Sequence, residues 1–518
     1  MTQVIVAEVV VYDPSITGTK TLYFSTQPFV TGSADSPANQ FYDGRIKQPA
    51  NTSRACFSQG ATSGRSQIGY GEMVLANTDG GLDALLNYSF AGRAITIKIG
   101  EVTPRSAGVT TWATVIAGTM EQAEFTWSQV TIRVRDRMQD IAKPHQQVKF
   151  AGNNSLPNGL EGVAGDLLGM PKTKIYGQAF NVPLPCVNTT RQIYLAHDGS
   201  VLASVDGVYD RGAPLTAGAA YANQAAMEAS APAAGQYRVW NDTTGCYIRI
   251  GTAPSGTLTA DLTQGASAAA RTVGQLYSTI LQDAGVSSGS ISSGDISALD
   301  ALCSYVVGYA FTHQAETTTL EALDNITNSI GAYFAPDASG IFRISQINLP
   351  SGGSVGNITA TDVLSIERVA SRDAGVGIPA WKVKIGYQKI FEVQDDLTNA
   401  VTLARKGLVE QEYRRVEASD SAVKTVNATS PEIAFDTLLV SAANASSEAT
   451  RRLTLYKSRR DMLRVRVRVD GAMAAVIDLG KVITLTLNRY GLSAGKDFLI
   501  IGVRTDMRNY IFELTLWG

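Results

Sequence analysis

The chain has 518 residues, 44% of them hydrophobic and only 17% charged, with a formal net charge of -2. That length exceeds one ordinary core and points to about three or four packed units, while near-neutrality excludes a chain whose main task is neutralising phosphates. The 48 glycines and 20 tyrosines, beside abundant Thr, Ser and Val, favour strands, turns and subunit contacts over solvated helices.

The opening stretch, MTQVIVAEVVVYDPS, has no basic n-region, carries Glu8 and alternates apolar with polar positions, so it reads as a first strand and not as a signal peptide. No stretch approaches the roughly 20 uninterrupted apolar residues that cross a bilayer, and the expectation is a soluble protein made in a cytoplasm. Residues 1–150 hold short β-branched runs at 21–25, 95–99, 114–117 and 130–134 between Gly, Pro, Asn and Asp turns, the pattern of a barrel-like β unit. Inside it, GYGEMVLANTDGGLDALLNYSFAGRAITIKIG predicts a strand, a turn at 77–81, a short helix with Leu82, Leu85 and Leu86 on one side, and a strand through Ile95, Ile97 and Ile99.

Residues 151–189, with Pro171, Pro183 and Pro185, read as an extended connector. Residues 190–265 form an inserted small β-rich domain with strands RQIYLA, QYRVWND and CYIRIG and a short Ala-rich helix within 217–231. From 266 to 350 the period changes to that of helices, in ARTVGQLYSTILQDAG, ISALDALCSYVVGYAF and TTLEALDNITNSIGAYF, the last running into a hairpin; Gly285 suits the C′ position of the first. Strand patterns return over 351–518, interrupted by a helix at 442–456. The expected fold is mainly β with an α/β middle: two barrel-like β domains, an inserted small β domain and a helical α/β unit. No fixed-period internal repeat is visible.

Catalytic chemistry has little to stand on. His145, His197 and His313 lie more than 50 residues apart with no metal-ligand spacing. YGLSAGKD has one residue too few before Lys496, and Asp497 where a phosphate loop needs Ser or Thr, so it reads as a hairpin turn. Ser63 in QGATSG has no apolar strand before it to make a nucleophile elbow. Glu72, Asp79 and Asp83 could be drawn as a cation site, but a turn Asp and a helix-start Asp explain the last two without an ion. Cys56, Cys186, Cys246 and Cys303 show no CxxC spacing and read as buried thiols, with a Cys186–Cys246 pairing or an unrecognised metal site as alternatives. The sequence calls for no cofactor, no metal and no catalytic residue.

The basic cluster is the candidate site. Arg451, Arg452, Lys457, Arg459, Arg460, Arg464, Arg466 and Arg468 fall together with Asp461 as the one acid among them. In DMLRVRVRVDG the period of two places Arg464, Arg466 and Arg468 on one strand face and Leu463, Val465, Val467 and Val469 on the other. Together with Arg459 and Arg460 these arginines are expected to form one basic face, which suits an electrostatic contact between subunits, a lumen surface over which DNA or other anionic material passes, or a solvated face of no special role.

Four stretches carry a family resemblance: GEMVLANTDGGLDALLNYSFAGRAITIKIG, GDLLGMPKTKIYGQAFNVPLPCVN, the block containing APSGTLTADL, and the ending IDLGKVITLTLNRYGLSAGKDFLIIGVRTDMRNYIFELTLWG. In this order they resemble the baseplate hub or tail-tip proteins of long-tailed, siphovirus-type bacteriophages. The resemblance implies a non-enzymatic virion protein assembled in the bacterial cytoplasm. It would form a trimeric ring that ends the hexameric tail tube, adapts sixfold to threefold symmetry and surrounds the DNA channel. Its implied partners are distal tail and tape-measure proteins and central fibre or receptor-binding proteins, with phage DNA met only in transit and the host envelope only indirectly. Arginine-bearing strands would then meet carboxylates across the ring joints. Two other classes remain: a carbohydrate-binding tail protein using Tyr194, Tyr221, Tyr237, Trp240 and Tyr247 of the 190–265 block, and a cell-wall hydrolase.

Overall fold

The computed structural model describes residues 2–58, 61–102, 112–369 and 377–518. The period-two runs at the two ends of the chain are strands, and they belong to one sheet. Its path runs through Gly18–Ser25, Thr2–Asp13, Ala94–Val102, Ala113–Phe125, Gln129–Arg135, Tyr70–Ala76 and Ile46–Ala55, then Lys496–Asp506, Ile511–Trp517, Met462–Arg468 and Val363–Val369. The two ends meet where Ser53, Arg54 and Ala55 lie opposite Arg504, Val503 and Gly502. Around this seam, Thr52 N and Oγ1 reach Thr505 Oγ1 at 3.1 and 2.8 Å, and Cys56 N donates to Ile501 O at 2.9 Å. Arg54 pairs with Asp478 at 2.7 Å and donates to Pro336 O. One buried apolar cluster fills both halves, from Ile97 and Ile132 to Val465, Val467, Leu514 and Leu516.

The halves repeat one design. Ala113–Phe125 pairs by its early residues with Ala94–Val102 and by its later ones with Gln129–Arg135; Lys496–Asp506 does the same with Val482–Thr486 and Ile511–Trp517. Ala94 lies opposite Thr119 as Val482 lies opposite Leu499, and both long strands shift register just beyond, after Met120 and after Ile500. Gly92 N donates to Met120 O at 2.8 Å and Met120 N to Arg93 O at 2.9 Å; Gly480 N and Ile500 N make the same bonds, to Ile500 O at 2.8 Å and Lys481 O at 2.9 Å. Both glycines sit at positive φ, 71° and 76°, which a Cβ would strain. Tyr70–Ala76 then corresponds to Met462–Arg468 and Ile46–Ala55 to Val363–Val369, both of the latter shifting register after their first pair. Gly92-Arg93-Ala94-Ile95-Thr96-Ile97 and Gly480-Lys481-Val482-Ile483-Thr484-Leu485 are the sequence trace of this repeat.

Between the halves stand two further layers. Five strands including Lys174–Pro183, Ser204–Asp210, Leu258–Thr263 and Gly308–Phe311 form one sheet, and five including Ile193–Asp198, Gly245–Ile250 and Gln236–Asp242 form another. Lys174–Pro183 lies inside the stretch expected as a connector, its alternation hidden by being buried on both faces. Helices Val273–Asp283, Ser293–Leu302 and Thr319–Asn328 start at Thr272, Ser292 and Thr318, whose side chains cap them. The second helix stops at Leu302, and Gly308–Phe311, read as its continuation, is a strand. In the N-terminal half, Leu82 and Leu85 are buried as expected while Leu86 is 63% exposed.

Helix Ala442–Tyr456 packs on the three-stranded sheet Arg414–Ser419, Lys382–Tyr387 and Glu432–Asp436. Val383, Ile385, Ala445 and Leu453 join the core of the helical unit and not the barrel-like sheet, which differs from the expectation of one C-terminal barrel domain over 351–518. A strand's period shows which face is buried, not which sheet it joins. This helix is held by a buried charge cluster: Glu448 accepts from Arg452 Nε at 2.6 Å and Arg451 Nε at 2.8 Å, and Arg451 donates on to Ile330 O and Ile347 O. Burial alone would raise the Glu448 pKa, and the two guanidiniums overcome it and hold the carboxylate below its usual value.

His145 and His197 are buried too, and His313 is half-buried. His145 Nε2 lies 2.7 Å from Tyr176 Oη, and His197 Nδ1 accepts from Ile175 N. Burial lowers all three pKa values to about 4, with the Lys174 charge adding to the effect on His145 and His197. Burial raises Asp136 and Asp324 to about 6.

Two predictions follow from these buried groups. Glu448→Gln strands two guanidiniums and lowers unfolding free energy by about 3 kcal/mol in urea denaturation. Histidines kept neutral in the fold let the unfolded chain bind more protons between about pH 6.5 and 4. Their contribution to stability therefore falls as pH drops through that window, whereas the two raised carboxyls push the opposite way. Urea midpoints measured from pH 7 to 4.5 should decline less steeply in His313→Asn and more steeply in Asp324→Asn.

Candidate assembly face

The Met462–Arg468 strand alternates as its sequence dictates: Leu463, Val465 and Val467 are buried, and Arg464, Arg466 and Arg468 are exposed. Its neighbours on the same face are set by register. Arg464 lies opposite Glu367 on one side and Thr515 on the other, and Arg466 opposite Ser365 and Glu513. Arg464 Nη1 reaches Glu367 at 3.2 Å and its Nε lies 3.8 Å from Glu513. Among the described residues, Arg466 and Arg468 make no ion pair.

The face does not end with its own half of the sheet. Following opposed residues from strand to strand, one row reads Ser365, Arg466, Glu513, Arg504, Ser53, Tyr70, Arg135 and Thr119, crossing the seam at Arg504–Ser53. Adjacent members stand one strand spacing, about 4.8 Å, apart. Arg466, Arg504 and Asn51 line one shallow depression beside the seam, and Asn51, Tyr70, Glu72, Arg133 and Arg135 a second that shares Arg504. On the N-terminal side the ions are paired, Arg133 with Glu124 at 2.6 Å and Arg135 with Glu121 at 2.8 Å. Carboxylates thus interleave the arginines, and the face has the mixed pattern of a protein contact more than the uniform one of a phosphate track.

The rest of the basic cluster disperses. Arg451 and Arg452 point inward to Glu448, with Arg452 only 1% exposed. Arg459 lies in the bend after the helix, 3.9 Å from Asp461, and Arg460 turns its Nε to Leu455 O. Lys457 pairs with Asp420. Of the five arginines singled out as a face, three share one and Arg459 and Arg460 do not. The missing signal was Glu448, one turn upstream of both helix arginines and spaced at i+3 and i+4 from them.

The other sequence candidates separate as well. Asp79 is held bidentately by Arg45 at 2.7 and 2.8 Å, Asp83 accepts from Asn77, and Glu72 lies on the sheet face, so the three carboxylates do not converge. Among the described residues, no cluster of His, Cys, Asp or Glu is placed to hold a metal ion, and no helix is long and apolar enough to cross a membrane. Cys186 and Cys246 are free thiols in one sheet with the Ile193–Asp198 strand between theirs. The YGLSAGKD stretch turns the chain between the paired strands Val482–Thr486 and Lys496–Asp506. Ser63 sits in a loop, and Gln59 and Gly60 of the same stretch lie outside the described residues. Tyr194, Tyr221, Tyr237, Trp240 and Tyr247 are each 6–7% exposed and pack the interior of the inserted sheets, with Trp240 stacked on Tyr247. Buried rings offer no open face for a sugar to stack on.

No protein-family model and no curated protein matches this sequence. Solved structures do. The prophage MuSo2 43 kDa tail protein from Shewanella oneidensis aligns over 99% of this chain and 98% of its own, at 10% identity and a TM-score of 0.41. The tail protein from Neisseria meningitidis MC58 aligns over 99% and 96%, at 9% identity and a TM-score of 0.39. A chain of the virion of a native gene transfer agent particle aligns over 73% and 91%, at 14% identity and a TM-score of 0.43.

Proposed function

We propose that this chain is a structural hub protein of a phage-type tail, present as a trimeric ring that ends the tail tube. The observation that carries this reading is the repeated β unit, joined edge to edge within one chain. Three copies of a two-unit chain present six like units at the rim. The inserted sheets and the helical unit occur once per chain, so every other layer of the same ring is threefold. A ring of that construction adapts a sixfold tube to threefold symmetry around a channel for DNA. It leaves the inserted layers to carry fibre or receptor-binding proteins, with distal tail and tape-measure proteins as axial neighbours. The function is mechanical, and the chain works in the virion after assembly in the host cytoplasm.

The arginine face supports the same reading. Among the described residues Arg466 and Arg468 form no ion pair, and Arg466 stands beside Glu513 in the row that crosses the seam; a neighbouring subunit's carboxylates would pair with both. Light scattering and negative-stain imaging of the purified protein test the whole proposal: a stable monomer, both alone and mixed with neighbouring tail proteins, overturns it. Replacing Arg464, Arg466 and Arg468 together with Glu should abolish ring assembly while the thermal midpoint of the isolated chain moves by only a few degrees, because the three side chains are exposed. Normal assembly with altered DNA passage would assign these arginines to the channel wall.

A further inference from the structure

Residues 388–413 join the neighbouring strands Lys382–Tyr387 and Arg414–Ser419, whose ends Tyr387 and Arg414 lie opposite each other. The segment can therefore move away without unpairing those two strands. It crosses to the inserted sheet and lies along Lys174–Pro183. That strand pairs with Gly308–Phe311 only over Lys174–Gly177, and further on the segment takes over. Ile390 bridges to Phe180, and the Phe391 and Glu392 amides donate to the Phe180 and Asn181 carbonyls at 3.1 and 3.0 Å. A bare strand edge is thus guarded by a short extended stretch of the same chain.

Beside this edge the sheet holds a socket for one guanidinium. Asn181 sits at φ 52° where Lys174–Pro183 shifts register against Leu258–Thr263, the kind of break that re-aims a side chain. Arg405, on the segment's helix Leu403–Val409, places Nη1 2.6 Å from Asp261 Oδ2 and Nη2 2.6 Å from Asn181 Oδ1, with its guanidinium 3.5 Å from the centre of the Tyr209 ring. Tyr209 Oη donates to the same Asp261 oxygen, and Thr259 Oγ1 to the same Asn181 oxygen. The two acceptors are therefore also held by groups of the sheet itself. A buried carboxylate selects a cation, and the paired acceptors with a ring beneath them favour the planar fork of arginine over a lysine ammonium.

The segment fits this site incompletely. Gln394 Nε2, Thr398 Oγ1 and Arg405 Nε are buried with no hydrogen-bond partner among the described residues, and each weakens the closed position. Its apolar grip is small: Phe391 packs at the margin of the sheet's core, while Leu403 is 87% exposed. We propose that residues 388–413 are a displaceable guard over a peptide-docking site. The site takes an extended, arginine-bearing segment of another protein, with two successive amides on the Phe180–Asn181 edge and a guanidinium in the socket of Asn181, Asp261 and Tyr209. The guard displays the ligand's chemistry by occupying the site itself, and a strand added at an open edge is a common mode of peptide recognition.

The inference does not rest on the ring reading, and the unassembled full chain tests it. The probe is a fluorescently labelled synthetic peptide of residues 388–413, followed by anisotropy. An Arg405→Ala chain should bind the peptide at least about tenfold more tightly than the unmodified chain does, and a peptide that itself carries Arg405→Ala should lose about tenfold of that affinity. Equal or undetectable binding to both chains, or binding indifferent to the peptide's arginine, overturns the site. Hydrogen exchange on the unmodified chain is a second measurement that needs no variant. The Phe391 and Glu392 amides should exchange at least about tenfold faster than those of Leu258–Thr263, a strand paired on both sides. Exchange at the same rate makes the segment part of the core and overturns the proposal, whether or not the variant folds.

Discussion

The antiparallel contact of Ser53–Ala55 with Gly502–Arg504 is the constraint on which the architecture depends. Only three residue pairs long, it joins segments at opposite ends of the chain and makes two half-sheets into one. Strand pairing this short would be weak alone. It is supported by the threonine pair Thr52 and Thr505, by the Arg54–Asp478 ion pair, and by an apolar cluster that draws on both halves. Because its partners are so distant in sequence, the loop-closure cost falls late in folding, and the N-terminal half completes its last edge only when the C-terminal strands are present.

Charge is used in two opposite ways within a few turns of the chain. Arg452 is taken out of water and Arg451 partly so, both matched to a carboxylate that is itself fully buried, and Arg451 pins the Ala442–Tyr456 helix to the carbonyls of Ile330 and Ile347. Arg464, Arg466 and Arg468 stay in water and are matched loosely or, among the described residues, not at all. Removing the first kind of arginine's partner damages the fold. Changing the second kind alters what the molecule can associate with.

The strand alternation of LRVRVRV, the helix at 442–456, the three capped helices and the β character of both ends were legible because each follows from local period and capping chemistry. Which sheet a strand joins was not, since Lys382–Tyr387 and Lys174–Pro183 look like any other strand until their partners are known. The repeat escaped for a related reason. Its sequence trace is a handful of residues, Gly-Arg-Ala-Ile-Thr-Ile against Gly-Lys-Val-Ile-Thr-Leu, and its strongest evidence is identical backbone bonding at Met120 and Ile500. The assembly face was half visible. Its arginines stood out, but Glu367, Glu513, Arg504 and the paired ions of Gln129–Arg135 reach it only through strand register.

The inserted sheets and the three capped helices separate the two copies of the β unit, a further layer with the Ala442–Tyr456 helix is set inside the second copy, and the chain leaves and re-enters the sheet at strand ends: after Arg135, at Asn357–Thr359 and Val363–Val369, and again at Met462. Material between these points can lengthen, shorten or be exchanged without moving the pairing of Ser53–Ala55 with Gly502–Arg504, provided the Pro336 carbonyl that receives Arg54 stays in place. Such a frame separates two evolutionary demands. The edges must remain fixed to fit their neighbours, whereas the inserted layers are free to follow whatever the outer surface has to meet.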